Sequence, residues 1–203
     1  MNIALIGYRG TGKTTVAQQL ALRLGWDWVD ADVELELHAG KSIAAIFADD
    51  GEPAFRDLEA ANLRDLIGRD RTVLALGGGV VLRPENRALL RPAREKGSGT
   101  FSERRDMDEI AREKAPDPFS RTTIIWLTAD PETIARRLES DASTNARRPN
   151  LIAGGLSEIR HLLAERMPLY RQCRDIEIDT ENKTAAEVTT EILTRLPLTQ
   201  SAT

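Results

Sequence analysis

The stretch GYRGTGKTT, residues 7–15, follows the apolar run NIALI (residues 2–6) and precedes the helix-like VAQQLALRLG. Beginning at Gly7 and ending with Lys13 and Thr14, it matches the pattern G-x-x-x-x-G-K-[ST]. Glycines let backbone N–H groups converge on a phosphate, and the following helix adds its positive N-terminal end. The lysine suits the β- and γ-phosphates and the hydroxyl suits Mg²⁺. The residues predicted to bind nucleotide are Gly10, Thr11, Gly12, Lys13, Thr14 and Thr15.

The composition predicts a soluble single-domain protein. The 203 residues are 41% hydrophobic and 30% charged, which suits one packed domain. A net charge of −4 and only 4% aromatic residues argue against a nucleic-acid partner. The single cysteine, Cys173, excludes an internal disulfide and favours a reducing compartment. No apolar run reaches membrane-spanning length and no signal peptide is recognisable, so we expect a cytoplasmic monomer without a membrane partner.

Short apolar runs alternate with helical patterns along the chain, and this order predicts the fold. Strands are predicted at residues 2–6, 26–30, 72–76, 123–127 and 176–180. Helices are predicted at residues 14–24, 33–38, 42–50, 52–67, 130–140, 157–173 and 185–196, with a proline interruption in the one before the last. Alternating strands and helices predict an α/β fold, with a parallel sheet of about five strands flanked by helices. This single domain would span residues 1–197, with a tail at 198–203.

A phosphate loop alone does not separate kinases from GTPases or ATP-driven machines, but other features of the chain do. They are Asp30 and Asp32 in DAD, Arg56 and Glu59 in FRDLE, Gly77, Gly78 and Gly79 after a buried strand, Arg148 before a proline, and Arg171 in MPLYRQC. Together with the loop they resemble the shikimate kinase family, small P-loop enzymes that phosphorylate the 3-hydroxyl of shikimate with ATP. The resemblance covers nearly the whole chain except residues 91–122. It implies the P-loop kinase fold with a mobile lid.

The residue types suit phosphoryl transfer to an acidic substrate. One carboxylate can hold metal-bound water, and a second can orient a hydroxyl and accept its proton. A guanidinium group can bind a substrate carboxylate through two hydrogen bonds. Successive glycines at the carboxyl end of a strand let a ligand approach the backbone. Taken singly, each feature also has an ordinary structural explanation, such as a helix N-cap for the aspartates or a surface ion pair for Arg56 and Glu59.

The resemblance assigns roles in catalysis and metal binding. Asp32 would orient the acceptor hydroxyl and accept its proton. Lys13 would stabilise charge on the phosphates, and Arg148 would close over ATP as the arginine of the lid. Thr14 and Asp30 would bind Mg²⁺, the expected cofactor, with ATP as co-substrate.

The resemblance also assigns an acceptor site, in a substrate-binding region at about residues 31–62 and in two later segments. Arg56 and Arg171 would bind the shikimate carboxylate, and Glu59 would fix Arg56. The residues implied to contact shikimate are Asp32, Arg56, Glu59, Gly77, Gly78, Gly79 and Arg171. The expected partners are therefore the small molecules shikimate and ATP.

Three segments are predicted less sharply. Adenine contacts are expected from Arg136 or Arg137 and from the loop at residues 179–183. A lid is expected at about residues 140–155. At about residues 91–122 the chain carries an insertion that the family's short connection lacks, with eight basic and seven acidic residues between its first and last arginines. Such near-balanced charge predicts that the insertion is a solvated segment, and we expect that catalysis does not need it.

The same residues disfavour three other functions. A kinase for another polyhydroxy acid such as gluconate is the nearest alternative. Arg56, Arg171 and the loop of three glycines disfavour it. A GTPase-like switch would need N-K-x-D, but NKTA ends in Ala185 where aspartate is required. A non-catalytic regulatory relative is disfavoured because every matched catalytic position carries the expected residue.

Overall fold

The computed structural model describes residues 1–91, 122–140 and 155–196, which build one parallel sheet with helices on both faces. The strands are β1 (Asn2–Ile6), β2 (Asp27–Asp30), β3 (Thr72–Ala75), β4 (Thr122–Thr128) and β5 (Ile176–Asp179). The helices are α1 (Lys13–Leu24), α2 (Ala31–Ala39), α3 (Ile43–Asp49), α4 (Gly51–Ile67), α5 (Pro84–Leu90), α6 (Pro131–Ser140), α7 (Gly155–Cys173) and α8 (Ala185–Arg195). The strand order is β2-β3-β1-β4-β5, with all neighbours parallel. The predicted α/β class, with a five-stranded parallel sheet flanked by helices, is confirmed.

Strand β1 lies at the centre because its residues are apolar on both faces. Ile3 pairs with Val73 of β3, and Ile6 pairs with Trp126 of β4. One face, which includes Ile3, packs against the buried residues of α1 and α8. The other face, which includes Ile6 and Trp126, packs against α4, α5 and α7. A continuous apolar run is what a strand covered on both faces requires.

The predicted boundaries hold to within a few residues, with one difference. Helix α1 ends at Leu24 and is capped by Gly25, whose φ of 65° is left-handed, as expected of a C-cap glycine. The predicted interruption at Pro168 is wrong, because α7 runs unbroken through it. A proline inside a helix removes one backbone hydrogen bond. Tyr170 and Cys173, both fully buried just beyond it, anchor the last turn in the core.

The carboxyl ends of the parallel strands bring the predicted functional loops to one edge of the sheet. The P-loop (residues 7–15) follows β1, Asp30 ends β2, and the 77–79 loop follows β3. Gly7 leaves β1 with a φ of 140°, and a Cβ there would lie 2.4 Å from the carbonyl oxygen of Leu127. Only glycine therefore allows the P-loop to start so close to β4. Ligands of open α/β sheets bind at this edge.

The two ends of the segment 92–121 converge on one carboxylate. Arg91 forms an ion pair of 2.9 Å with Asp175, and the backbone N–H of Ile124 donates to the same carboxylate at 2.8 Å. Arg91 also donates from Nε to the carbonyl of Cys173 at the end of α7. The predicted insertion, the lid with Arg148 and the tail lie outside the described residues, apart from the few at their borders. In the described parts, no helix is long and apolar enough to cross a lipid bilayer.

Candidate active site

The P-loop is held in shape by contacts of its own side chains. Lys13 Nζ donates to the carbonyls of Gly7 and Tyr8, at 2.9 and 2.8 Å. Thr11 Oγ1 donates to the Tyr8 carbonyl at 2.7 Å. Helix α1 begins at Lys13, and its N-cap, Gly12, supplies no side-chain hydrogen bond. The first N–H groups of α1 thus receive no acceptor from a capping side chain, which leaves them suited to a phosphate.

The two predicted metal ligands touch each other. Thr14 Oγ1 donates to Asp30 Oδ2 at 2.7 Å. The other oxygen of Asp30 accepts from the backbone N–H groups of Asp32 and Val33 and so caps α2. The structural and the functional explanation of this aspartate are therefore compatible.

A hydroxyl and a carboxylate oxygen are hard donors that fit Mg²⁺, which binds few protein ligands together with phosphate oxygens and water. Within residues 1–91, 122–140 and 155–196, no cluster of three or more His, Cys, Asp or Glu side chains could hold a metal on its own. The Thr14–Asp30 pair, beside the phosphate loop, thus has the donor set expected for a metal shared with a nucleotide.

A small cleft lies between α2, α4 and the end of β3. Its lining residues are Ala31, Asp32, Leu35, Glu59, Asn62, Leu63, Leu76, Gly77 and Val80. Three of the residues predicted to contact the acceptor, Asp32, Glu59 and Gly77, therefore line one cavity. Most of its wall is apolar, with the few polar groups that small-molecule sites use to orient a ligand.

Arg56 and Glu59 form a buried ion pair beside this cleft. Their side chains are 11% and 7% exposed, and Arg56 Nη1 donates to Glu59 Oε2 at 2.8 Å. Arg56 also donates from Nε and Nη2 to Glu52. Burial alone would lower the pKa of Arg56, but the carboxylates of Glu59 and Glu52 raise it above its ordinary value. The guanidinium thus stays charged, as an anion-binding group must.

The 77–79 loop packs directly on this guanidinium. A Cβ at Gly79 would lie 2.3 Å from Arg56 Nη1, a contact that no side chain can make. Of the three successive glycines, Gly79 is therefore needed because the Arg56 guanidinium packs against its Cα. Sequence reasoning expected them to admit a ligand.

Arg166 is a functional candidate that the sequence reasoning missed. Its guanidinium carbon lies 5.6 Å from the centre of the Tyr8 ring in the P-loop. Four residues later on the same face of α7, Tyr170 donates from its hydroxyl to the Gly78 carbonyl at 2.5 Å. Burial raises the pKa of Tyr170, and the opposing effect of Arg166 is smaller. Helix α7, the P-loop and the 77–79 loop therefore meet around these side chains.

Arg171, which was also predicted to contact the acceptor, is not among the residues that line the cleft. Its side chain is exposed, and its guanidinium carbon lies 5.9 Å from the Trp126 ring centre. Residues five apart on a helix point in directions that differ by roughly 140°, so Arg171 and Arg166 face different sides. The four-residue spacing from Arg166 to the buried Tyr170 is the sequence signal that could have found the inward arginine.

On the nucleotide side, Arg137 is the better placed of the two arginines predicted near adenine. It donates to the Gly10 carbonyl at 3.3 Å and to the hydroxyl and carbonyl of Thr180 at 3.0 and 2.9 Å. Arg136 donates to Thr133 within its own helix. Arg137 therefore ties the P-loop, predicted to bind the phosphates, to the loop that follows β5, predicted to contact the adenine.

The comparisons with known proteins point in one direction. A sequence profile described as shikimate kinase matches residues 9–197. The chain is 37% identical over 197 residues to the shikimate kinase of Rhodopirellula baltica, covering 97% of this chain and 90% of that one. It is 41% identical over 170 residues to that of Pelotomaculum thermopropionicum, covering 83% and 80%. The solved shikimate kinase of Acinetobacter baumannii in complex with shikimate superimposes with a TM-score of 0.74 at 30% identity, covering 95% and 90%.

Proposed function

The chain belongs to the shikimate kinase family, and we propose that its described residues form two adjoining sites, one for ATP and one for shikimate. Its function is the ATP-dependent phosphorylation of shikimate. The 3-hydroxyl oxygen attacks the γ-phosphorus of ATP, the bond to the β-γ bridging oxygen breaks, and ADP and shikimate 3-phosphate are released. The observation that carries this proposal is the buried Arg56–Glu59 pair beside a cleft at the same sheet edge as the P-loop.

On the nucleotide side, the P-loop residues from Gly10 to Thr15 bind the phosphates through their backbone N–H groups. Lys13 leaves the carbonyls of Gly7 and Tyr8 and contacts the β- and γ-phosphates, where its charge is most needed as the bond to the leaving group breaks. Thr14 and Asp30 would hold Mg²⁺, which when bound neutralises phosphate charge and aligns the γ-phosphoryl group.

On the acceptor side, Asp32 lines the cleft in the first turn of α2. It orients the 3-hydroxyl group and accepts its proton as the oxygen attacks. Arg56 binds the shikimate carboxylate, and Glu59 fixes the guanidinium in place. Phosphoryl transfer needs little more from the protein than such positioning and charge.

For the second arginine of the carboxylate site we propose Arg166 instead of Arg171. Arg166 lies against the P-loop residue Tyr8, next to the contact between Tyr170 and Gly78. Arg148 is proposed as the lid arginine that stabilises the transferring group, on the resemblance alone. One domain, a monomeric state and a cytoplasmic location stay predictions.

The test is a coupled assay of ADP release from the purified chain with Mg·ATP and shikimate. Gluconate and a nucleoside serve as control acceptors. We expect turnover that depends on shikimate, with the controls at the rate of uncoupled ATP hydrolysis. A higher kcat/KM with gluconate would replace the proposal by the alternative kinase, and no acceptor-dependent ADP release would refute it.

A further inference from the structure

One polar side chain of the acceptor cleft has no role in the proposed function, namely Asn62. It is only 6% exposed, lies in the interior of α4 and lines the cleft. Buried asparagines ordinarily satisfy both ends of their amide, because an unmade hydrogen bond in the interior costs free energy.

The two ends of this amide differ. Nδ2 donates to the carbonyl of Ala31 at 2.9 Å. Oδ1 is buried and has no hydrogen-bond partner in the part of the chain that the structure describes. Ala31 directly precedes Asp32 at the start of α2, so the donor end fixes the element that carries the proposed proton acceptor. The acceptor end is thus unpaired on a residue that lines the cleft.

The other polar side chains of the cleft already have partners or roles. Glu59 Oε2 accepts from Arg56, and Asp32 faces the reacting hydroxyl in the proposed mechanism. The remaining side chains of the lining are apolar. Shikimate carries two further hydroxyl groups, at carbons 4 and 5, and each needs an acceptor on leaving water.

We propose that Asn62 is a specificity-determining residue whose Oδ1 accepts a hydrogen bond from a shikimate hydroxyl that is not phosphorylated. Its Nδ2 at the same time positions α2 through Ala31. This inference rests on the proposed function, since it presumes that the cleft holds shikimate. A site built to hydrogen-bond a hydroxyl rejects the analogue that lacks it, because its buried acceptor is then left unpaired.

The experiment compares kcat/KM for shikimate, 4-deoxyshikimate and 5-deoxyshikimate. In the unaltered enzyme we expect one analogue to be worse than shikimate by about tenfold or more. Asn62→Leu, of similar size, should bring shikimate down to the level of that analogue, so that the preference disappears. Asn62→Asp keeps an acceptor oxygen and loses the donor to Ala31, so it should keep the preference at a lower kcat.

Asn86→Leu is the matched control. Asn86 is fully buried in α5 and is not among the residues that line the cleft, so its replacement should leave the preference unchanged.

Three results would overturn the inference: an unaltered enzyme that prefers shikimate over neither analogue, an Asn62→Leu variant that retains the full preference, or an Asn62→Asp variant that loses it. The first needs no variant and holds even if the substitutions unfold the chain. Failure of the proposed function would be distinct, because the unaltered enzyme would then not phosphorylate shikimate at all.

Discussion

Arg56 and Glu59 show how burial changes what an ion pair does. On the surface, an i, i+3 pair contributes little, since water screens it and its side chains lose entropy. Here both side chains are almost fully buried, and Glu52 adds a third partner. The arginine is thereby fixed before any substrate binds. A fixed cation needs less ordering on binding than a mobile one.

Replacing Asp32 tests the chemistry. Asp32→Asn keeps the shape of the side chain but removes the proton acceptor, so we expect kcat to fall by about 10²–10⁴. The KM values for ATP and shikimate should change far less. Steady-state kinetics with both substrates varied would check this. A normal kcat would show that Asp32 is not the proton acceptor and serves only in the first turn of α2.

Arg166 and Arg171 of α7 provide a matched pair of variants. Arg166→Ala should weaken shikimate binding by roughly 1.5–3 kcal/mol, the size of a hydrogen bond to a charged group, and leave ATP binding nearly unchanged. Arg171→Ala, with its exposed side chain, should leave both within error. Calorimetric titration with shikimate measures the difference. A larger loss of shikimate affinity in Arg171→Ala than in Arg166→Ala would show that Arg171 binds the carboxylate.

Cys173 predicts how the enzyme responds to thiol reagents. Its side chain is fully buried, and burial raises its pKa to about 11. The thiol is therefore protonated at pH 8, and the reactive thiolate is rare. A chromogenic disulfide reagent should label the native chain slowly and the chain in guanidinium chloride within seconds. Because the folded-state pKa is raised, native labelling should accelerate as the pH rises towards 11. Fast labelling at pH 8 would mean that the end of α7 opens readily.

Among the larger elements, the 77–79 loop links the cleft to helices α4 and α7. Gly79→Ala places a Cβ where Arg56 Nη1 lies. The guanidinium must move away from the carboxylate that it is proposed to bind, so we expect the shikimate KM to rise with the ATP KM unchanged. Gly68→Ala is the control, because a Cβ there makes only ordinary contacts of 3.6 Å or more. Equal kinetics in the two variants would show that Arg56 tolerates displacement.

The strands and most helices could be predicted because their residues carry strong signals. The apolar run of β1 allows only a strand covered on both faces, and Gly25 ends α1 as its conformation requires. The inward face of α7 was harder to predict, because the sequence alone does not show whether Arg166 or Arg171 lies on the buried side of the helix. Asn62 also escaped notice, because an asparagine inside a helix reads as an exposed polar residue. Its importance comes from contact with Ala31, thirty-one positions away in sequence.

At the scale of the whole molecule, the segment between α5 and β4 is the part of the chain that the resemblance to the family does not cover. Its two ends are held together by one carboxylate, since Asp175 binds both Arg91 and the N–H of Ile124. A four-residue linker spans roughly 17 Å over its five Cα–Cα steps, which should join such ends. The part of the sheet that pairs β4 with β1 lies within the described residues and does not depend on what connects them.

Replacing residues 92–121 by Gly-Ser-Gly-Ser should therefore leave kcat and both KM values within about threefold, because loop length alone changes the closure free energy by only about 0.6 kcal/mol per doubling. None of the residues proposed for catalysis or binding falls in the deleted segment. Asp175→Ala, in the full-length chain, should lower the melting temperature, since it releases both anchors at once. The competing view is that part of the segment packs on the core or covers the acceptor cleft. A deletion variant that misfolds, or that loses more than about tenfold in kcat/KM, would establish that view.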